Sequence, residues 1–245
     1  RSCLLWLDAA TIVLSDLHVA NSNAVAVHLR EDLGFPANRL CTIRNGIDLR
    51  KIDAAAPIDR LRHGISPNQK LIIWAGRMDP VKNLSVLIET VARLRIDFDV
   101  RAVLLGDGPS RSPIENLIRS RHLPNVIDTP GWSGDVIGWL KSADLLLFPS
   151  ITEGSPNVLL EAMACRCPVI ASDIPACREL ILYPMSGRLF HHATPRMFVR
   201  AVSELLTDRD NAKSLAQQAR SIVEQRHEIQ HIARQWADLY RRIAG

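Results

Sequence analysis

The amino-acid sequence predicts an α/β protein built around a doubly wound parallel sheet. Short, almost wholly apolar runs such as 71–75 and Leu145–Phe148 are typical of strands buried on both faces of such a sheet. Each of these runs is followed by a polar turn and then by a segment with helical periodicity. The repeated order of strand, turn and helix is the pattern of a parallel sheet covered by helices.

Composition narrows the class of protein further. With 245 residues, 47% of them hydrophobic, the chain can bury a substantial core in one or two domains. A net charge of +4, 5% aromatic residues and the lack of a Lys/Arg tract do not support a nucleic-acid surface. Five cysteines without a CxxC pair favour reduced thiols in a cytosolic protein. The sequence shows neither an apolar run of about 20 residues nor a signal peptide, and its start at Arg1 predicts a fragment.

The first part of the chain predicts the end of a helix, a strand, one complete helix and a second strand, in that order. The end of a helix and then a strand are expected within 2–22, followed by a helix over 23–33 that Ser22 caps and Gly34 ends. A second short strand is expected over 39–43, and Asn45-Gly46 marks the turn after it. Alanines, prolines and charges then replace any periodic pattern over 49–69, which indicates a boundary.

The next elements place cations at the edge of the predicted sheet. The strand at 71–75 ends in Gly76-Arg77, and Lys82 precedes the following helix. An arginine at such a junction can fork two phosphate oxygens, and a lysine adds a point charge. The remaining elements up to the central unit are strands over 99–105 and 126–128 and helices over 84–95, 114–120 and 136–141.

The central unit runs from the strand Leu145–Phe148 through a polar turn into a helix that contains 158–163. Ser155 is expected to cap this helix, with Pro156 in its first position. The helix start favours a phosphate. Glu153 in the turn and Glu161 in the helix are then expected to accept hydrogen bonds from hydroxyls rather than to pair with cations. A phosphate together with many hydroxyls describes a nucleotide sugar, although the spacing alone also fits a capping and a surface glutamate.

The segment from Glu153 to Leu180 resembles the Glu-x7-Glu segment of the retaining glycosyltransferases of family 4, which have the GT-B fold with Rossmann-like domains. The resemblance implies that Glu153 contacts the sugar of the donor and that Glu161 holds its ribose. It implies that the Gly76-Arg77 and Lys82 segment grips the donor diphosphate and stabilises it as it leaves. Arg77, Lys82 and Glu153 would thus be catalytic. The other residues implied to bind the donor are Gly76, Gly154, Ser155, Asn157, Val158 and Glu161.

The same resemblance implies three segments. Residues 1–48 would be the last unit of an acceptor-side domain, residues 49–215 the donor-binding domain, and residues 216–245 helices that return toward the first domain. The buried stripe of the last helix would then be Trp236, Leu239, Tyr240 and Ile243, exposed where the first domain is missing. Arg166 and Ala176 stand where the family has glycine, which puts left-handed backbone at both positions in question.

The implied reaction moves a sugar from a nucleotide-diphosphate sugar to a saccharide or a lipid-linked saccharide, in polysaccharide or glycoconjugate synthesis. No metal or other cofactor is implied, because the basic pair supplies the positive charge. We expect a cytoplasmic protein, with membrane contact through the missing domain, and little turnover by this chain alone. The mildly positive net charge also suits an enzyme that uses anionic donors at an anionic membrane, so the charge does not decide whether the protein contacts a membrane.

Two alternatives remain open from the sequence. One keeps the fold but makes the protein a nucleotide-sugar epimerase or a non-catalytic nucleotide-binding domain. The other is a zinc metalloprotease, because His227, Glu228 and His231 match H-E-x-x-H, in which two imidazoles lie one helical turn apart. Only fourteen residues follow His231, which leaves Asp238 as the sole downstream acid for a third ligand.

Overall fold

All eight strands lie in two parallel sheets in the computed structural model, which describes residues 15–191 and 194–244. The smaller sheet pairs β1 with β2, and the larger sheet contains the other six strands in the order β5-β4-β3-β6-β7-β8. The strands are β1 His18–Ala20, β2 Leu40–Thr42, β3 Lys70–Ala75, β4 Val100–Leu105, β5 Ile127–Gly131, β6 Leu145–Phe148, β7 Val169–Ser172 and β8 Arg188–Phe190.

The order of the larger sheet reverses between β3 and β6, where Ile72 pairs with Leu145. In open α/β sheets, ligands bind outside the carboxyl ends of the strands at such a reversal. The side chains of β6 are at most 1% exposed, as expected for a strand covered on both faces. The predicted doubly wound parallel sheet is therefore confirmed.

Ten α-helices connect and cover the strands in the described parts of the chain. They are α1 Asn23–Glu31, α2 Leu49–Ala54, α3 Leu84–Leu94, α4 Arg111–Ser120, α5 Val136–Ser142, α6 Asn157–Ala164, α7 Pro175–Leu180, α8 Pro195–Thr207, α9 Arg209–Arg226 and α10 Ile229–Ala244. Helix α3 packs against α8, and α6 packs against α9. Neither the helices of 15–191 nor those of 194–244 combine the length and the apolar character needed to cross a bilayer.

The last helix returns to the small sheet. Ile232 and Leu239 of α10 form a second, smaller core with Ile43, beside the main core of the large sheet. The backbone of Ile47 accepts a hydrogen bond from Ile229 at 3.0 Å and donates one to His227 at 2.8 Å. The division into three segments stays a prediction.

Several element boundaries differ from those predicted. Helix α6 begins at Asn157 and has Pro156 as its N-cap residue, so the expected cap by Ser155 is wrong. Helix α2 lies in the region expected to lack periodic structure. The helix end expected before the first strand lies partly outside the described residues.

Side-chain burial and backbone geometry match the prediction at some positions and differ from it at others. In the stripe of the last helix that was expected to be exposed, Tyr240 and Ile243 are more than half exposed, whereas Leu239 is buried. Arg166 does adopt the left-handed conformation, with φ of 56°. Ala176 lies inside α7 and needs no such geometry, because the loop has become helical there.

Candidate functional site

Two glycine loops meet at the carboxyl ends of β3 and β4. A Cβ on Gly106, which has φ of 136°, would lie 1.8 Å from the carbonyl oxygen of Gly76. A Cβ on Gly108 would lie 2.6 Å from the carbonyl oxygen of Met78. The amide of Met78 also donates to the carbonyl of Asp107 at 2.8 Å. The Gly-Asp-Gly sequence therefore does more than turn the chain, because it lets two loops pack at backbone distance.

A cavity of about 400 Å³ opens beside these loops. Its walls come from the ends of β3 and β4, the loop after β5 and helix α6, and include Gly76, Arg77, Asp107, Trp132, Val158 and Glu161. Trp132 is 82% exposed and stands at the edge of the cavity. The size is within the range of small-molecule sites, which runs from roughly 300 to 1,000 Å³.

Glu161 is partly buried in this cavity and its carboxylate has no hydrogen-bond or ionic partner among the described residues. Burial raises the pKa of its carboxyl group above the ordinary value. Helix α6 positions it, because the opposite side of that helix packs into the core through residues such as Leu159 and Met163. The carboxylate is thus free to accept hydrogen bonds from a bound molecule.

Arg77 lines the same cavity but reaches toward solvent. Its side chain is 71% exposed, and its Nε lies 3.0 Å from a carboxylate oxygen of Asp79. An exposed pair of this kind is held weakly, by about 0–1 kcal/mol. The guanidinium can therefore turn to an anion at modest cost.

Lys82 and Glu153 form a shielded ion pair. The Nζ of Lys82 donates to both carboxylate oxygens of Glu153, at 2.6 and 2.8 Å. The side chains are 18% and 10% exposed. A hydrogen bond from the amide of Ile151 to the carbonyl of Val81, at 2.8 Å, ties together the two loops that carry the pair. The expectation that Glu153 would not pair with a cation is wrong, because both loops end at the same edge of the sheet.

The turn after Glu153 is held by the first part of the chain. Ser22 donates from Oγ to the carbonyl of Gly154 at 2.6 Å. Asn45 donates from Nδ2 to the hydroxyl of Ser155 at 3.1 Å and to the side-chain oxygen of Asn157 at 2.6 Å. These contacts fix the loop that leads from Glu153 to the start of α6.

A second contact between these parts of the chain involves Glu179. Its carboxylate accepts hydrogen bonds from the backbone amides of Asn23 at 2.9 Å and Ala24 at 2.6 Å. The amide of Val25 donates to Ser22 Oγ at 3.0 Å, so the predicted cap by Ser22 is confirmed. Glu179 thus supplies a second cap from α7, far along the chain, to the first turn of α1.

The H-E-x-x-H residues do not form a metal site of the expected kind. Helix α9 ends at Arg226 and α10 begins at Ile229, so His227 and Glu228 lie between two helices, whereas a zinc site of this kind needs both histidines on one helix. His227 is buried, with Nδ1 3.0 Å from the carbonyl oxygen of Asn45, whereas His231 faces its own helix neighbour Gln235. Within 15–191 and 194–244, no group of three or more His, Cys, Asp or Glu side chains could hold a metal ion.

The structure thus distributes the predicted residues over three neighbouring places. Gly76, Arg77, Val158 and Glu161 line the cavity, Lys82 and Glu153 pair, and Gly154, Ser155 and Asn157 form the fixed loop. The sequence predicted Ser22 as a helix cap and Asn45 in a turn, but it did not indicate that both hold the loop after Glu153, and it gave the ring of Trp132 no role. The contacts of Ser22 and Asn45 with that loop carry no local signal, whereas Trp132 carries one, because it is an aromatic residue directly after a turn glycine.

A larger cavity of about 560 Å³ lies between the small sheet and α10. Its lining is mainly apolar, with Ile43, Ile232 and Trp236, and it contains no carboxylate. Without a carboxylate it has no charged acceptor for the hydroxyls of a ligand, so the cavity around Glu161 is the better candidate.

Comparison with known proteins gives one family. The family model described as glycosyl transferases group 1 matches residues 56–222. The D-inositol 3-phosphate glycosyltransferase of Pseudarthrobacter chlorophenolicus is 29% identical over 185 residues, which cover 71% of this chain and 44% of that protein. The N-acetyl-alpha-D-glucosaminyl L-malate synthase of Bacillus anthracis is 26% identical over 228 residues, which cover 92% of this chain and 59% of that protein. The chain spans about half the length of the curated relatives it matches.

Solved structures share the fold. The crystal structure of Anabaena Alr3699/HepE in complex with UDP and glucose matches with a TM-score of 0.91 and 23% identity, over 98% of this chain and 67% of that one. Sucrose-phosphate synthase from Thermosynechococcus elongatus matches with a TM-score of 0.86 and 24% identity, over 99% of this chain and 62% of that one. At these identities the likeness shows the GT-B fold alone.

Proposed function

This chain belongs to the glycosyl transferases of group 1, and we propose that its protein moves a sugar from a nucleotide-diphosphate sugar to an acceptor hydroxyl with retention at the anomeric carbon. The family match covers most of the chain, and the candidate site lies where ligands of doubly wound sheets bind. A structural neighbour was solved in complex with UDP and glucose, which supports a donor of this class. The acceptor we propose is a saccharide or a lipid-linked saccharide.

The observation that carries the proposal is the unpartnered carboxylate of Glu161 in its cavity. The two neighbouring hydroxyls of a ribose can each donate to a carboxylate, and hydrogen bonds to a charged group contribute about 1.5–3 kcal/mol each. Because the position is partly buried, water competes less for the carboxylate than it would at the surface. We assign Glu161 to the ribose, and the exposed ring of Trp132 to the base as a stacking surface.

Lys82 and Glu153 serve the other half of the donor in this proposal. The diphosphate would draw Lys82 out of its ion pair, which releases Glu153 to accept hydrogen bonds from hydroxyls of the sugar. Arg77 would add a second cation from the solvent side. Charge grows on the diphosphate as it leaves, so both cations would stabilise the transition state more than the ground state.

The loop between Glu153 and α6 would hold the sugar through its backbone. Helix α6 has no side-chain cap, and the amides of Asn157 and Val158 make no hydrogen bond within the described residues, so these two remain available to an anion. The contacts of Ser22 and Asn45 keep Gly154, Ser155 and Asn157 in place before the donor arrives. Such preorganisation lowers the cost of binding.

The proposal assigns the neutralising charge to side chains and gives no role to a metal ion. Titration of the donor with added magnesium and then with EDTA tests that assignment, and equal affinities are expected. A cytoplasmic location is also part of the proposal. It rests on the free thiols of Cys41, Cys165, Cys167 and Cys177 among the described residues.

Calorimetric titration with UDP, GDP and ADP tests the proposed donor site. One nucleotide should bind the chain. Glu161→Ala should lower the affinity for it roughly 100-fold, because two hydrogen bonds to a carboxylate together contribute about 3 kcal/mol. Glu204→Ala, which removes an exposed glutamate on α8, is the matched control and should bind as the parent does. Equal affinity in Glu161→Ala and the parent would remove the basis of the proposal.

Product analysis separates transfer from epimerisation in the complete protein. A transferase consumes the nucleotide sugar only when an acceptor is added, whereas an epimerase converts it alone. Conversion of the donor without an acceptor would contradict the proposed reaction while leaving the donor site intact.

A further inference from the structure

A third cavity, of about 370 Å³, lies at the opposite end of the large sheet. It is lined by Lys70 at the start of β3, Asp144 just before β6 and Pro168 just before β7, together with the first turns of α9. The candidate donor site lies at the carboxyl ends of the same strands. The two cavities are therefore separated by the length of the sheet.

The charge of this cavity is strongly one-sided. Its lining contains five cationic side chains and one carboxylate: Arg60, Lys70, Arg166, Arg209 and Lys213 against Asp144. The whole chain has 30 Lys and Arg residues against 26 Asp and Glu residues. The lining of this cavity is therefore far richer in cations relative to carboxylates than the chain as a whole.

The carboxylate of Asp144 is already fully engaged by the fold. It accepts hydrogen bonds from the amide of Leu71 at 2.8 Å and from the guanidinium of Arg60 at 2.9 Å, and Lys70 lies 3.9 Å away. Arg60 also donates to the carbonyls of Gln69 at 3.1 Å and Ser142 at 3.0 Å. Asp144 and Arg60 therefore join the starts of two strands, and the one carboxylate of the lining makes no contact with Arg166, Arg209 or Lys213.

Arg166, Arg209 and Lys213 are exposed, and none of them makes a hydrogen bond or a salt bridge within the described part of the chain. Arg166 interacts electrostatically with the carboxylate of Asp53, whereas Arg209 and Lys213 have no such partner there. Arg166 follows α6 and its left-handed backbone is held by a hydrogen bond from the amide of Cys167 to the carbonyl of Ala162, at 2.9 Å. Two guanidinium groups and an ammonium group thus surround a concave surface whose floor contains Leu205, Leu206 and Ala212.

We propose that this cavity binds a phosphate-bearing anion, at a site separate from the donor site. Arginine presents paired N–H groups that match two phosphate oxygens, and lysine adds a point charge. The apolar floor suits the organic part of such a molecule. The phosphate belongs either to a small phosphorylated metabolite or to the headgroup of an anionic lipid. In both cases the arginine and lysine side chains would bind the phosphate oxygens in the same way.

Inorganic pyrophosphate is the probe for the test. Titration is carried out by calorimetry in a Lys82→Gln background, so that the donor site contributes little. The combined substitutions Arg166→Gln, Arg209→Gln and Lys213→Gln should weaken pyrophosphate binding at least tenfold, and should flatten the dependence of affinity on salt. Lys213→Gln alone should give a smaller loss, which keeps the test informative should the triple variant not fold.

A matched control removes the same number of exposed and unpartnered cations elsewhere on the described surface, namely Arg93, Arg196 and Arg200, each changed to Gln. This control should bind pyrophosphate as the Lys82→Gln parent does. Equal binding by the two triple variants, or no binding by their parent, would overturn the proposal. Neither result bears on the donor site, which is tested separately through Glu161.

Co-sedimentation with vesicles distinguishes the two sources of phosphate. Binding to vesicles of equal parts phosphatidylglycerol and phosphatidylcholine that is lost in the cavity variant, and not in the control, would support a lipid headgroup. Pyrophosphate binding without vesicle binding would support a small metabolite. Vesicle binding that persists in the cavity variant would show that another surface holds the lipid and would contradict this source.

Discussion

Replacing Glu153 with glutamine should increase the affinity for the free nucleoside diphosphate. It should also reduce the affinity for the nucleotide sugar relative to that for the diphosphate. In the structure, Lys82 donates to both oxygens of the Glu153 carboxylate, at 2.6 and 2.8 Å. A diphosphate must break this ion pair before it can take the ammonium group. The substitution removes the competing charge and keeps the shape of the side chain.

The size of the effect follows from the shielding of the pair. With the side chains 18% and 10% exposed, solvent screens the pair only in part. The glutamine carbonyl still accepts a hydrogen bond from the ammonium group but lacks the opposite charge, whose attraction is worth about 0–1 kcal/mol in a fully exposed pair and more where solvent is partly excluded. The difference of about 1–2 kcal/mol corresponds to diphosphate binding roughly 5 to 30 times tighter. The substitution also removes the charged acceptor for the hydroxyls of the sugar, so the affinity for the nucleotide sugar should increase much less than the affinity for the free diphosphate.

Calorimetric titration of the parent, Glu153→Gln, Lys82→Gln and the double variant measures both affinities at one pH and one salt concentration. Lys82→Gln should lower the affinity for the diphosphate. Glu153→Gln should have little further effect on that affinity in the Lys82→Gln background, because no ammonium group remains to be released. Binding of the diphosphate to Glu153→Gln that is no tighter than to the parent would refute the idea that the pair must open.

Three further substitutions test the packing around the site. Asn45→Ala removes two hydrogen bonds to the loop before α6 and should lower the free energy of unfolding by about 1–2 kcal/mol, measured with urea. Gly106→Ala places a Cβ 1.8 Å from the carbonyl oxygen of Gly76 and should cost at least about 3 kcal/mol, seen as a lower Tm. Burial lowers the pKa of His227, so the neutral imidazole is favoured in the folded protein. The stability that it contributes is fully present above its pKa of 6.5 in the unfolded chain and is lost as the pH falls through its lower pKa in the folded protein. His227→Gln should therefore lose less stability than the parent between pH 7.5 and pH 5.

Each of these substitutions has a counterpart that lacks the relevant contact. Asn116→Ala changes an exposed asparagine on α4 whose side chain accepts a hydrogen bond only from its exposed helix neighbour Arg119, and its stability should stay near that of the parent. Gly64→Ala has a positive φ of 67° but open space around the new Cβ, so its cost should be only about 1 kcal/mol. His231→Gln changes an exposed histidine and should keep the acid sensitivity of the parent. A pair with equal effects would contradict the corresponding argument.

The sequence by itself determined most of the strands and helices and the edge of the sheet at which the candidate site lies. Apolar runs predicted the strands of the large sheet, and β6 has the predicted bounds because its four residues are apolar and flanked by polar residues. The spacing of Glu153 and Glu161 across one strand–helix junction placed both carboxylates at the carboxyl edge of the sheet. Signals of this kind are local, since periodicity and turn chemistry act within a few residues.

The tertiary structure alone decided which side chains meet. Lys82 and Glu153 are 71 positions apart, and Asn45 lies 110 positions before Ser155. Their contacts depend on the order of the strands, which brings loops from distant parts of the chain to one edge. The same order gathers Arg60, Arg166 and Lys213 at the other edge. No local pattern encodes these pairings, because the free energy that selects them comes from burying the whole sheet between its helices.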